Sequence, residues 1–167
     1  ELALRLGADV PFFVRGHNAW VEGVGELITP ILLPEQVFDT PLIIIKPQAN
    51  IPTPAIFGSA LLRRDTPAVS PAAFLVDPLR FGHNDLQAPA EAHAPEVQSA
   101  LAALSQHVGD ARMTGSGSAV FAWQTAPRAK AVHELQQIAQ KSGWQLKETR
   151  VLRHHPAFDL FDASSTA

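Results

Sequence analysis

Asp9 stands inside Leu6-Gly7-Ala8-Asp9-Val10-Pro11-Phe12-Phe13, where the pattern predicts a helix leaving into a strand with a carboxylate at the junction. Held at such a bend, a carboxylate can reach a cleft and serve catalysis there, or it can bond nearby backbone and close a turn. A second stretch, Thr114-Gly115-Ser116-Gly117-Ser118-Ala119, alternates glycine with small residues. Its backbone N–H groups can converge on an anion because glycine reaches positive φ and shields nothing, although a hairpin turn has the same composition. Neither the lysine of a P-loop nor the spacing of a dinucleotide fingerprint is present. In a third, Ile51-Pro52-Thr53-Pro54-Ala55-Ile56-Phe57, a rigid turn opens a helix and sets an aromatic ring one turn on. Phe57 can stack on a flat ring while Thr53 orients it, or it can be an ordinary core phenylalanine. The histidines at 17, 83, 93, 107, 133, 154 and 155 follow no metal-ligand spacing, so no protein-held metal is expected, and His154-His155 read as an exposed pair. Asn84, in His83-Asn84-Asp85-Leu86, can cap a helix or make a polar contact to the site.

These groups need elements to position them. Phe12 to Val14 and Ala19 to Val21 flank Arg15-Gly16-His17-Asn18 and read as a hairpin, and Pro34 to Thr40 reads as a connector. Leu42 to Lys46 is an apolar, β-branched run suited to a strand covered on both faces. Thr53 as N-cap and Pro54 at the first helical position predict a helix to about Arg64, followed by a proline-rich loop with a short helical turn over 65–78. Pro95 opens a helix with Val97, Leu101, Leu104 and Val108 on one face, and Gly109 offers a left-handed end. Arg112 to Thr114 and Ala119 to Trp123 read as paired strands. Thr125 and Pro127 open a helix closed at Gly143, and Trp144 to Leu152 holds the last strand. From Leu42 onward this order is βαββαβ with extra helical material, an α+β, ferredoxin-like layer of helices on an antiparallel sheet. Fraying is expected from Asp162 to Ala167.

With 167 residues the chain can bury a sizeable core, and 13 basic against 16 acidic residues leave no electrostatic footprint for nucleic acid or an anionic membrane. The expected partner is a small molecule. There is no cysteine, hence no disulfide framework, and no apolar run approaches a membrane span, so a cytoplasmic protein is expected. Glu1-Leu2-Ala3-Leu4 reads as the end of a helix already under way, so the chain is expected to be a piece of a longer protein.

Taken together, Gly7 to Phe13, Glu22-Gly23-Val24-Gly25-Glu26, Ile51 to Pro54 with Phe57, Asn84-Asp85-Leu86 and Arg112 to Gly117 resemble the GHMP kinase superfamily. Within it they are most similar to the 4-diphosphocytidyl-2-C-methyl-D-erythritol kinase family. The resemblance covers nearly the entire chain. It implies transfer of the ATP γ-phosphoryl group, with Mg²⁺, to a substrate hydroxyl in non-mevalonate isoprenoid synthesis. Asp9 matches the catalytic aspartate, and Val24, Thr53, Pro54 and Phe57 match substrate-binding positions, Phe57 forming one face of a cytosine sandwich. Gly115, Ser116 and Gly117 match the phosphate-loop motif. The same resemblance makes residues 1–40 the end of the N-terminal ATP-binding domain, 41–160 the substrate-side domain and 161–167 a tail. The family's lysine and long ATP loop fall upstream of Glu1, so the piece alone is expected not to turn over. Another GHMP kinase, acting on homoserine, mevalonate or a sugar, and a non-catalytic ferredoxin-like module are the alternatives.

Overall fold

The computed structural model describes residues 2–126 and 129–157. Two short helices, α1 (Leu2–Leu6) and α2 (Val10–Arg15), precede a hairpin of β1 (Ala19–Glu22) and β2 (Leu27–Pro30), in which Trp20 faces Thr29. The strand expected over Phe12 to Val14 is therefore a helix, and Ala19 to Val21 pairs downstream instead. Local punctuation outweighs the β preference of Phe-Phe-Val. Pro11 occupies the first turn, where its missing N–H costs nothing, and Gly16 closes the helix at φ 69° with its N–H on the Phe12 carbonyl. The connector carries its own short helix, α3 (Glu35–Asp39).

Beyond it run β3 (Leu42–Lys46), α4 (Thr53–Phe57), α5 (Pro71–Val76), α6 (Gln87–His93), α7 (Pro95–His107), β4 (Ala111–Met113), β5 (Val120–Trp123), α8 (Ala129–Ser142) and β6 (Gln145–Thr149). The strands form a four-stranded sheet in the order β4-β5-β3-β6, with every neighbouring pair antiparallel. With α7 and α8 as the crossovers, this is the expected βαββαβ arrangement. Strand alternation sends Ile43 and Ile45 towards the helices, where both are fully buried with Val120, Ala122 and Met113 against Val97, Leu104 and Leu135. Apart from Ala122, each of these side chains contributes about 1.5–3 kcal/mol on leaving water. Leu42 and Ile44 take the opposite face, where Leu42 is buried and Ile44 half-buried, so β3 is covered unequally on its two sides.

Several helix ends differ from expectation. Helix α4 stops at Phe57, and Gly58 follows it with its N–H on the Pro54 carbonyl at 2.9 Å. Pro52, not Thr53, holds the N-cap position, and the Thr53 hydroxyl is engaged elsewhere. Helix α5 is the helical turn expected within 65–78, capped by Ser70 Oγ accepting from the Ala73 N–H at 3.2 Å. The apolar face of α7 is as read, while Gly109 lies at φ 140° instead of in the left-handed helical region. Gly143 ends α8 at φ 68°. Pro127 and the segment from Asp162 to Ala167 lie outside the described residues.

After β6 the chain doubles back on the N-terminal segment. His154 forms an antiparallel bridge with His17, and the His155 N–H donates to the Gly16 carbonyl at 2.7 Å.

Candidate functional site

The glycine loop joins β4 to β5, closed by the Thr114 N–H on the Ala119 carbonyl at 3.0 Å and the Gly117 N–H on the Thr114 carbonyl at 3.2 Å. Gly115 and Gly117 adopt φ 58° and 90°, which side chains resist. Inside the turn, Ser118 is buried and donates from Oγ to the Pro47 carbonyl at 3.1 Å. Outside it, Asn84 donates to the carbonyls of Met113 (3.0 Å) and Gly115 (2.8 Å) while its own oxygen accepts from the Leu86 N–H. The Gly115 and Ser116 N–H groups donate to no described residue. An anion could take them. Ser116 Oγ lies 3.0 Å from Thr53 Oγ1, which ties the loop to the start of α4. Ile51 approaches the same loop, its Cδ1 only 3.0 Å from where a Cβ on Gly117 would stand. Thr53, Pro54, Phe57 and the 115–117 turn thus share one neighbourhood, and Phe57 is 52% exposed beside a fully buried Ile56.

Asp9 belongs to a second neighbourhood. It takes the N-cap position of α2, yet with φ −86° and ψ −13° its side chain caps nothing. The exposed carboxylate is bonded to no described residue, so the local-turn reading of Asp9 does not hold. It borders a surface pocket of about 320 Å³ with Ala8, Phe12, Phe13, Ala19 and Val21. The β1–β2 turn leans on the residue before it: a Cβ on Gly25 would lie 2.2 Å from the Ala8 carbonyl oxygen. The Glu26 carboxylate accepts from the Val24 N–H at 2.6 Å, leaving the Val24 side chain 73% exposed at the tip. Asp9 and the Val24 turn are therefore neighbours. Among the described residues no hydrogen bond or ion pair joins them to the Thr53–Ser116 group.

The model of the GHMP kinases C terminal family matches residues 59–143, just over half of the chain. The chain belongs to the GHMP kinases. Relatives of this GHMP kinase chain extend the likeness beyond that stretch. The 4-diphosphocytidyl-2-C-methyl-D-erythritol kinase of Methylibium petroleiphilum is 47% identical over 155 residues, covering 93% of this chain and 53% of that protein. The kinase of the same name from Ralstonia nicotianae is 46% identical over 159 residues, covering 93% and 52%. A crystal structure of 4-(cytidine 5'-diphospho)-2C-methyl-D-erythritol kinase matches with TM-score 0.66 at 28% identity, over 90% of this chain and 56% of that one. The chain spans about half the length of the curated relatives it matches.

Sequence reasoning undervalued the supports of the GHMP kinase glycine loop. Asn84 is not the cap of α6, whose N-cap position is Leu86, but makes the polar contact to the loop, and Gln87, unnoticed, accepts from the Met113 N–H at 3.0 Å while donating to Glu91 at 2.8 Å. Arg112 Nη atoms reach the carbonyls of Leu79 (2.5 Å) and Phe81, fastening the 77–82 turn to β4. Neighbouring residues signal none of these partners. For Arg112, a charged residue opening a strand read as paired was the one available hint.

Proposed function

We propose that the protein carrying this chain transfers the γ-phosphoryl group of ATP to a hydroxyl of 4-diphosphocytidyl-2-C-methyl-D-erythritol, a step in making isoprenoid precursors. Residues 1–40 would complete the ATP-binding domain and 41–160 the substrate-side domain. The acceptor oxygen bonds to the γ-phosphorus as the bond to the β,γ-bridging oxygen breaks and ADP leaves. Asp9 holds that hydroxyl in line and accepts its proton. Phe57 stacks on the cytosine, Thr53 and Pro54 shape its edge, Val24 lines the approach, and the amides of the 115–117 turn face phosphate oxygens. ATP is the co-substrate. Among the described residues no group of three histidine or acidic side chains is set to hold an ion, so Mg²⁺ is assigned no ligand and no step here.

The observation that carries this reading is the disengaged carboxylate. An aspartate at an N-cap position ordinarily bonds the amides of the first turn, whereas Asp9 leaves its oxygens to solvent and to whatever occupies the adjoining pocket. In the full-length protein Asp9→Asn should lower turnover by about 10²–10⁴-fold with nucleotide affinity unchanged. Retained turnover would overturn the assignment. Titration with cytidine nucleotides separates this substrate from those of other GHMP kinases, which need no cytosine recognition.

A further inference from the structure

We propose that Asn18 is a positioning residue for the Asp9 carboxylate, acting by clasping the far end of α2 to the segment that follows β6. The inference rests on the role of Asp9 given above.

Helix α2 has six residues, half-buries Val10, Pro11 and Phe12 and fully buries none, so propensity and packing along its length hold its direction only weakly. Its ends contribute the rest. At the C-terminal end Gly16 is buried and its carbonyl accepts the His155 N–H at 2.7 Å, while His17 bridges His154. Asn18 comes next and makes the connection twice. Its side-chain nitrogen donates to the carbonyls of Leu152 at 3.0 Å and Arg153 at 3.1 Å, while its backbone carbonyl accepts the Ile31 N–H at 3.0 Å and ties the same residue to the end of β2. The receiving segment is itself anchored. The Arg153 guanidinium makes two hydrogen bonds to the Glu35 carboxylate, one of 3.0 Å between Nη1 and Oε1, and lies 4.3 Å from the centroid of the Phe38 ring. Phe13, on α2, sets its ring edgewise to His155 with centroids 6.4 Å apart.

The consequence is a lever. From Gly16 to Asp9 the helix runs roughly 10 Å at about 1.5 Å per residue, so a tilt of about 10° at the clasp moves the carboxylate by roughly 2 Å. Misplacing a reacting group by about 1 Å can cost on the order of 10²-fold in rate. Loosening a bond far from the substrate should therefore lower kcat without weakening substrate binding.

Asn18→Asp tests this in the full-length kinase. It keeps shape but turns the nitrogen into an oxygen facing two carbonyl oxygens, whereas Asn18→Gln keeps the donor. The expected result is a kcat lower by about 10–100-fold in Asn18→Asp, KM for acceptor and ATP within about twofold, and most of kcat recovered in Asn18→Gln. On the residual rate of Asp9→Asn, the added Asn18→Asp change should do nothing further. Wild-type kcat in Asn18→Asp, or a loss confined to KM, overturns the clasp. If Asn18→Asp fails to fold, Arg153→Lys replaces it, since losing the two-pronged grip on Glu35 should lower kcat in the same way, and unchanged kcat there also overturns the proposal. Active Asp9→Asn sinks the catalytic reading, whereas inactive Asp9→Asn beside fully active Asn18→Asp sinks only the clasp.

Discussion

Phe57 and Ile56 are adjacent, yet one is 52% exposed and the other 1%. On a helix of five residues they point in different directions, so Ile56 secures α4 to the core while Phe57 is left with a bare face. A ring kept out of the core contributes little to stability, and its loss should register in binding. Phe57→Ala is expected to weaken cytidine-nucleotide binding by about 1–3 kcal/mol, roughly 5- to 150-fold, with a small change in melting temperature. Phe57→Trp should keep most of the affinity. Calorimetric titration of the two variants checks this, and equal affinity for Phe57→Ala and the parent would remove Phe57 from the site. Of the candidate residues, neither the open carboxylate of Asp9 nor the exposed ring of Phe57 could be read from residue type, which fits a turn bond and a core ring equally well. Thr53 was misread as a cap because its partner, Ser116, is 63 positions away and no local pattern reports such a contact.

At the scale of elements, two turns carry the candidate groups and differ in how tightly they are held. Gly115 has φ 58° with open space where a methyl group would stand, so Gly115→Ala meets only backbone strain, on the order of 1–2 kcal/mol. Gly25 has φ 109°, and its Cβ would fall 2.2 Å from the Ala8 carbonyl oxygen, a backbone atom that cannot swing aside. Gly25→Ala should therefore cost more, about 3 kcal/mol or above, by pushing the Val24 turn off the residue next to Asp9. Denaturant unfolding of both variants gives the order, and a smaller loss for Gly25→Ala would contradict the packing described. The long amphipathic helices α7 and α8 and the four strands of the β4-β5-β3-β6 sheet could be read from their apolar spacing, whereas β2 could not. Short elements were harder: α2 hides in a Phe-Phe-Val run, and α4 ends seven residues before its expected limit at Arg64 because Gly58 interrupts it.

For the whole molecule, the βαββαβ core was legible because each crossover has its own hydrophobic period, whereas the docking of the N-terminal segment was not. That docking depends on pairs such as Arg153 with Glu35, 118 positions apart, and Arg150 with the Asp39 carbonyl, 111 positions apart. Hydrogen bonding to Arg153, aided by its charge and opposed by some desolvation, holds the Glu35 carboxyl below the usual carboxylate range. A carboxyl with a lowered folded-state value binds protons more readily when the chain unfolds. Its contribution to stability is thus complete above the ordinary carboxylate value and is lost as pH falls through the lowered one. Both side chains are mostly exposed, at 71% for Glu35 and 56% for Arg153, so the contribution is modest and screened by salt. Melting temperatures of the parent chain and Glu35→Gln, followed from pH 7 to about pH 3, should differ most at neutral pH and converge towards the acid end, with the gap narrowing in high salt. Parallel curves across that range would mean that Glu35 and Arg153 do not hold α3 to the segment after β6 in solution.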